Sequence, residues 1–250
     1  RGRLGSNSAT ITMNGGAVSN SGRESAGLFA FNENLGGKAT IAMNGGTVTS
    51  TGEGVVGLRA EISAPRTVKI LESGLANFEP LRNNDGTIAV DQNGEAIMVP
   101  VYVQAPERRV DGDNNILRST GAAEVTVGAD AAVSVSGAGA TGIEVDHAGV
   151  GNVDVNVAGS VIASGEGARG ISIAGEFVEA VNLNITGIVR GGQGAGAYAV
   201  FIDTPAVNST VTIGAGAQLG TPNPSSGSIN VGTASVTNNG TIFGGVQAGS

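Results

Sequence analysis

The strongest constraint on the fold of this chain is a repeat with a thirty-residue offset near its start. Residues 39–60 (ATIAMNGGTVTSTGEGVVGLRA) restate residues 9–30 (ATITMNGGAVSNSGRESAGLFA), with 12 of 22 positions identical. Each copy contains three short runs of alternating apolar and polar residues, and glycines separate the runs. This pattern predicts three short, half-buried strands per repeat unit. Because so small a unit cannot bury its own apolar side chains, successive units must stack on one another.

Weaker units return in the second half of the chain, with a period of 26 to 30 residues. We therefore predict an all-β fold, a right-handed parallel β-helix (solenoid), in which each strand pairs in parallel with its counterpart about 4.8 Å away. The composition agrees with narrow stacked layers, since 43 of 250 residues are glycine and only 3% are aromatic. An antiparallel sandwich of short hairpins is the structural alternative.

The repeat pattern stops between residues 61 and 120, where four of the seven prolines and many charged residues lie. In this stretch Asn93-Gly94 stands between two alternating apolar runs, which predicts a β-hairpin. We therefore predict repeat units at 1–60, a hairpin-containing insertion at 61–120, and further repeat units at 121–250. We expect the whole to be a fragment of a longer protein.

Charge and composition exclude several function classes. The net charge of −8 repels phosphate backbones and anionic membrane surfaces, so nucleic acid is not an expected partner. The absence of cysteine excludes disulfides, zinc–thiolate sites and thiol catalysis. No apolar run approaches the length of a membrane-spanning helix.

Two glycine-rich motifs and one polar stretch resemble ligand-binding loops. Residues 137–142 (GAGATG) match a dinucleotide fingerprint, but an alternating strand pattern follows where that fingerprint needs a helix, so we interpret them as a turn. Residues 191–199 resemble a calcium-binding nonapeptide in which Gly196 stands at the aspartate position. Residues 111–115 (DGDNN) lack the closing glutamate of a calcium loop. We expect neither cofactor nor metal.

Catalysis is not the function that the sequence favours. His147 is the only histidine, and no serine-nucleophile motif accompanies it. Glu144 and Asp146 share one face of a predicted strand, as paired carboxylates in polysaccharide-cleaving enzymes do, but few aromatic or cationic side chains accompany them. We interpret the pair as a solvated acidic face and expect the protein not to be an enzyme. A polysaccharide lyase or hydrolase is the alternative.

Aligning the third predicted strand of each repeat unit shows which side chains share one face of the fold, and this is more informative about binding. Phe29 and Phe31 then point to solvent, as contact residues often do. Either the insertion covers them or they form a partner-binding surface. The alignment places one set inward: Leu28, Leu58, Ile143, Ile171 and Tyr198. Their outward neighbours are Phe29, Arg59, Glu144, Ser172 and Ala199. The candidate binding residues are Phe29, Phe31 and Arg59 on this face and Arg66, Arg82, Arg108 and Arg109 in the insertion.

Three segments, 9–16 (ATITMNGG), 153–173 (VDVNVAGSVIASGEGARGISI) and 236–245 (VTNNGTIFGG), resemble the repeat units of autotransporter passenger domains, the pertactin-like class of Gram-negative bacteria. The resemblance implies secretion to the cell surface by a C-terminal β-barrel outside this sequence. It also implies an adhesin or virulence factor that binds a host-cell surface protein or glycan, or another passenger of a sibling cell. A purely structural stalk is the remaining alternative.

Overall fold

The computed structural model of the protein describes residues 7–63, 77–83, 87–101, 118–205, 208–221 and 227–248. All regular elements in these ranges are β-strands, and no helix there is able to span a membrane. The strands are, in chain order, β1 (Ala9–Met13), β2 (Ala17–Ser21), β3 (Ala26–Asn32), β4 (Ala39–Thr51), β5 (Val56–Ile62), β6 (Asn77–Pro80), β7 (Met98–Val101), β8 (Ala123–Ser136), β9 (Thr141–His147), β10 (Val153–Val157), β11 (Ser160–Ser164), β12 (Arg169–Ala174), β13 (Val181–Ile185), β14 (Ile188–Arg190), β15 (Tyr198–Asp203), β16 (Ser209–Ile213), β17 (Gln218–Leu219), β18 (Gly227–Val231), β19 (Ala234–Asn238), β20 (Thr241–Ile242) and β21 (Val246–Ala248).

Residues 66–117 form a compact unit, and residues 1–65 together with 118–250 form another. In the smaller unit β6 pairs antiparallel with β7, and an isolated antiparallel bridge joins Val90 to Ala96. Between these two residues the amide of Asp91 donates to the carbonyl of Glu95 at 2.8 Å, and Gly94 adopts a φ of 82°. The turn therefore lies where the Asn-Gly pair predicts it.

In the larger unit, strands of neighbouring repeats pair in parallel. β1 and β2 pair with β4 in the thirty-residue register of the repeat, so Ile11 faces Ile41 and Val18 faces Val48. β4 also pairs with β8, and this pairing directly joins the repeats before residue 63 to the repeats after residue 118. From β8 the pairing continues along two branches, through β10, β13, β16 and β19 and through β11, β14, β17 and β20. These parallel pairs exclude the antiparallel sandwich.

The predicted right-handed parallel β-helix, with three separate strands per unit, is wrong. The first two strands of the unit merge in β4 and β8, which run through the predicted turn, and they belong to a single 12-stranded sheet. At the predicted turn Gly45 and Gly46 pair with Asp130 and Ala131 of β8, and the register shifts just before them, where β8 has one residue more than β4. β8 stands at the middle of this sheet, with β10 on one side and β11 on the other. The two ends of the sheet, β19 and β20, are consecutive in the chain, and the sheet curls into a nearly barrel-shaped arc.

A second parallel sheet of seven strands, in the order β21-β18-β15-β12-β9-β5-β3, packs against the first. One row of its inward side chains, Leu58, Ile143, Ile171 and Val200, is completely buried. The buried cluster of the described residues consists of Val, Ile, Leu, Ala and Met without any aromatic side chain. Aromatic side chains in this unit are therefore found outside the core, and the seven-stranded sheet carries four of them.

Candidate functional site

The outward side of the seven-stranded sheet collects the exposed aromatic and charged side chains of five neighbouring strands. β5 and β9 show the alternation that produces this side, since Leu58, Ala60 and Ile62 are buried while Arg59 and Glu61 between them are partly exposed. The in-register residues form two columns. We define the outer face as the first column (Phe29, Arg59, Glu144, Ser172, Phe201), the second column (Phe31, Glu61, Asp146, Ala174, Asp203) and the adjacent Arg169 and Tyr198.

The alignment of β15 differs from the sequence prediction. Val200, not Tyr198, pairs with Ile171, and Ala199, which we placed outward, is completely buried. The predicted outward position in this strand is therefore wrong, and Phe201 takes it, in register with Ser172. As a result the first column has an aromatic residue at both ends. Parallel strands lie about 4.8 Å apart, so four steps separate Phe29 from Phe201 by about 19 Å.

One end of the outer face is an exposed aromatic pair. Phe29 is 47% exposed and Phe31 is 41% exposed, and their ring centroids are 5.9 Å apart with a tilt of 43°. The guanidinium carbon of Arg59 lies 5.4 Å from the centroid of Phe29, within the range of a cation–π contact. The pair is thus ordered by its neighbours while nearly half of its surface faces solvent.

The middle of the outer face is a charge cluster. Arg59 Nη2 lies 3.1 Å from Glu61 Oε2, and Arg59 Nε lies 3.5 Å from Glu144 Oε1 as an ion pair without a hydrogen bond. Burial raises the pKa of Glu144; the charge of Arg59 opposes this, and the carboxylates of Asp146 and Glu61 add to it. Asp146 and Asp203 are exposed and take part in none of the ion pairs formed by the described residues.

The other end of the outer face repeats the arginine–aromatic arrangement. The guanidinium carbon of Arg169 lies 3.8 Å from the ring centroid of Phe201, and the ring of Tyr198 lies 5.6 Å from the same ring. Arg169 Nη1 donates to Ser172 Oγ and Arg169 Nε to the carbonyl of Gly196, each at 3.3 Å. The outer face therefore has two arginines in contact with aromatic rings, Arg59 with Phe29 and Arg169 with Phe201.

The predicted binding residues are only partly brought together. Phe29, Phe31 and Arg59 lie side by side on the outer face, whereas Arg82 is an exposed residue of the smaller unit. Arg66, Arg108 and Arg109 lie outside the described residues. Sequence reasoning missed Arg169 and Tyr198 as residues of this face. It predicted Phe201 to point outward but placed it opposite Ala174 instead of Ser172. A small residue near the start of each of these strands could have revealed the correct register. Ala199 of β15 occupies the position that Gly170 has in β12 and Gly142 has in β9.

The glycine motif at 137–142 and His147 have structural roles in the described part of the chain. Strand β9, not a helix, follows the 137–142 glycine motif. His147 is buried, its Nε2 lies 2.8 Å from the Gly121 carbonyl, and its Nδ1 accepts from the Gly149 amide at 3.0 Å. Both ring nitrogens therefore bind backbone groups, away from the outer face. Residues 111–115 lie outside the described residues, and within the described ranges no three His, Cys, Asp or Glu side chains cluster as metal ligands would.

Comparisons with protein-family models, with curated proteins and with solved structures returned no match to this chain.

Proposed function

We propose that this chain is the recognition module of a secreted or surface-displayed bacterial adhesin, of the kind that the passenger resemblance implies. In this proposal the outer face contacts a component of a host cell or a sibling cell. The observation that carries the proposal is the exposed aromatic pair Phe29 and Phe31 beside the charge cluster around Arg59. Phenylalanine and arginine are both enriched at protein interfaces relative to the rest of the protein surface.

The aromatic pair offers substantial binding energy for its size. From their exposed fractions the two side chains leave roughly 180 Å² of apolar surface in water, which corresponds to about 4 kcal/mol if a partner covers it. The rings are also held on alternate positions of one strand, 29 and 31, which point to the same side of the sheet. Little conformational entropy is therefore lost when they are covered.

The charge cluster supports binding over glycoside cleavage. In a carboxylate pair that cleaves a glycosidic bond, one group must be free to donate a proton and the other to attack or to activate water. Here the side chain of Arg59 lies against both Glu61 and Glu144, so neither carboxylate stands free of a charged partner. Such an arrangement suits a fixed, charged surface for recognition.

The proposal is tested by the double substitution Phe29→Thr and Phe31→Thr, because threonine keeps the strand propensity and removes the rings. Phe177→Thr is the matched control, since Phe177 is 36% exposed and lies off the outer face. Labelled protein is added to host-cell monolayers and to bacteria that display the same chain. We expect the double variant to bind at least about tenfold more weakly, from loss of part of the ring burial energy, and the control to bind like the wild type. Undiminished binding by a folded double variant refutes the proposal.

A further inference from the structure

The shape of the outer face restricts what it can bind. Its two columns are two residues apart along each strand, about 7 Å, and extend for about 19 Å across the strands. Even with the reach of side chains, the face covers roughly 400 Å², about half of what one partner buries in a standard protein interface. A narrow strip of this kind fits a single extended chain lying across the strands better than a broad globular surface.

The charge of the outer face restricts the ligand further. Four carboxylates (Glu61, Glu144, Asp146 and Asp203) stand against two guanidinium groups (Arg59 and Arg169), an excess of two negative charges. Arg59 is shared between two of the carboxylates, and Arg169 is held over Phe201. Asp146 and Asp203 are both exposed and outside the ion pairs of the described residues. A cationic ligand is therefore complementary, and an anionic one is repelled.

We propose, as a refinement that rests on the proposed function, that the outer face binds an extended basic segment of a partner protein. Lysine or arginine side chains of the segment lie against Asp146 and Asp203, and an apolar side chain packs on Phe29 and Phe31. An extended chain advances about 3.3 Å per residue, so about six residues reach from Phe29 to Phe201.

The test uses fluorescence anisotropy with the intact chain and a fluorescein-labelled peptide in which two central lysines are separated by serines from a leucine near each end. A second peptide has glutamine in place of both lysines. We expect the lysine peptide to bind about tenfold more tightly than the glutamine peptide at low salt, and this advantage to shrink at about 0.3 M salt through screening.

Two charge-matched variants assign the effect to the outer face. Asp146→Asn with Asp203→Asn removes two exposed carboxylates of the face, and we expect it to abolish the preference for lysine. Asp130→Asn with Glu179→Gln removes two exposed carboxylates elsewhere in the larger unit and changes net charge equally. This control should retain the preference. Equal loss in both variants means non-specific attraction and overturns the proposal.

A glucosamine hexamer is added as a competing cationic chain. If it binds through Asp146 and Asp203 while both peptides fail, the ligand is an amino sugar and the peptide assignment is overturned. Equal binding of the lysine and glutamine peptides overturns the charge assignment. The proposed function is judged separately, because Phe29→Thr with Phe31→Thr reports on cell binding whatever the peptides do. Failure of the peptides with loss of cell binding in that variant removes the refinement alone.

Discussion

We expect the substitution Gly165→Ala to destabilise the protein by acting on the stacking of one repeat unit upon another. Gly165 has a φ of 124°, a region that residues with a Cβ rarely adopt. A Cβ at this position would also overlap the carbonyl group of Gly137 in the preceding unit. Gly137 has a φ of 138° and is equally close to Gly52. These turns therefore form a column in which no methyl group fits.

The cost of the substitution can be estimated from these two effects. The positive φ costs an L-residue about 1–2 kcal/mol. Overlap with a backbone carbonyl is not relieved by rotating a side chain, so the turn must shift. The shift weakens the bond from the Gly137 amide to the Ser164 carbonyl and the bond from the Gln193 amide to the Gly165 carbonyl, both 2.9 Å. At about 1 kcal/mol for each hydrogen bond, the total is about 3–4 kcal/mol.

Gly196→Ala is the matched control, because Gly196 has a φ of 79° with no atom within 4 Å of an added Cβ. It should incur only the backbone strain of about 1–2 kcal/mol. For a protein of this size a difference of about 2 kcal/mol corresponds to roughly 4–8 °C in melting temperature. Thermal unfolding followed by circular dichroism measures this difference. If the two variants melt at the same temperature, the close stacking of the glycine turns does not contribute as the structure indicates.

Two further predictions concern titratable groups. Burial lowers the pKa of His147 below its ordinary value of 6.5, so its contribution to stability is complete above that pH and is lost as the pH falls toward its folded-state pKa. Between about pH 8 and about pH 5, His147→Gln should therefore lose less melting temperature than the wild type, and an equal loss contradicts the assignment. Because Arg59 lowers the pKa of Glu144 while Asp146 raises it, Arg59→Gln should raise that pKa and Asp146→Asn should lower it. Carboxyl NMR titration measures both shifts, and shifts in the same direction reject the described charge cluster.

The sequence was most informative where the repeat is strongest. Identity between residues 9–30 and 39–60 predicts the pairing of Ile11 with Ile41 and of Leu28 with Leu58, and both pairs are present. It did not predict that the strands on either side of Gly45-Gly46 would share one sheet. A glycine pair lowers strand propensity locally, but the hydrogen bonds that continue from β4 to β8 outweigh that preference. Those bonds join residues far apart in the chain, so local pattern does not reveal them.

The composition of the outer face depends on a row of small residues that sets the register of the seven-stranded sheet. The row consists of Gly27, Gly57, Gly142, Gly170, Ala199 and Ser228. A Cβ added at Gly142 would lie 2.5 Å from Val161 Cγ1 and 2.5 Å from the Gly170 carbonyl, so small size is demanded by packing against the other sheet and the next strand.

All six residues of that row directly precede a leucine, isoleucine or valine, and matching each strand on this pair of residues gives the correct register. At β15, where alanine replaces glycine at position 199, the sequence alignment instead put Tyr198 opposite Ile171, which displaces the strand by two positions. A displacement of two residues leaves the same side chains pointing inward and outward, so the predicted core stays plausible. It nevertheless moves Phe201 away from Ser172, its partner in the neighbouring strand. Only with the register corrected do Phe29 and Phe201 mark the two ends of one column, with Arg59, Glu144 and Ser172 between them. The arrangement of side chains on the outer face therefore depends on residues that do not lie on it.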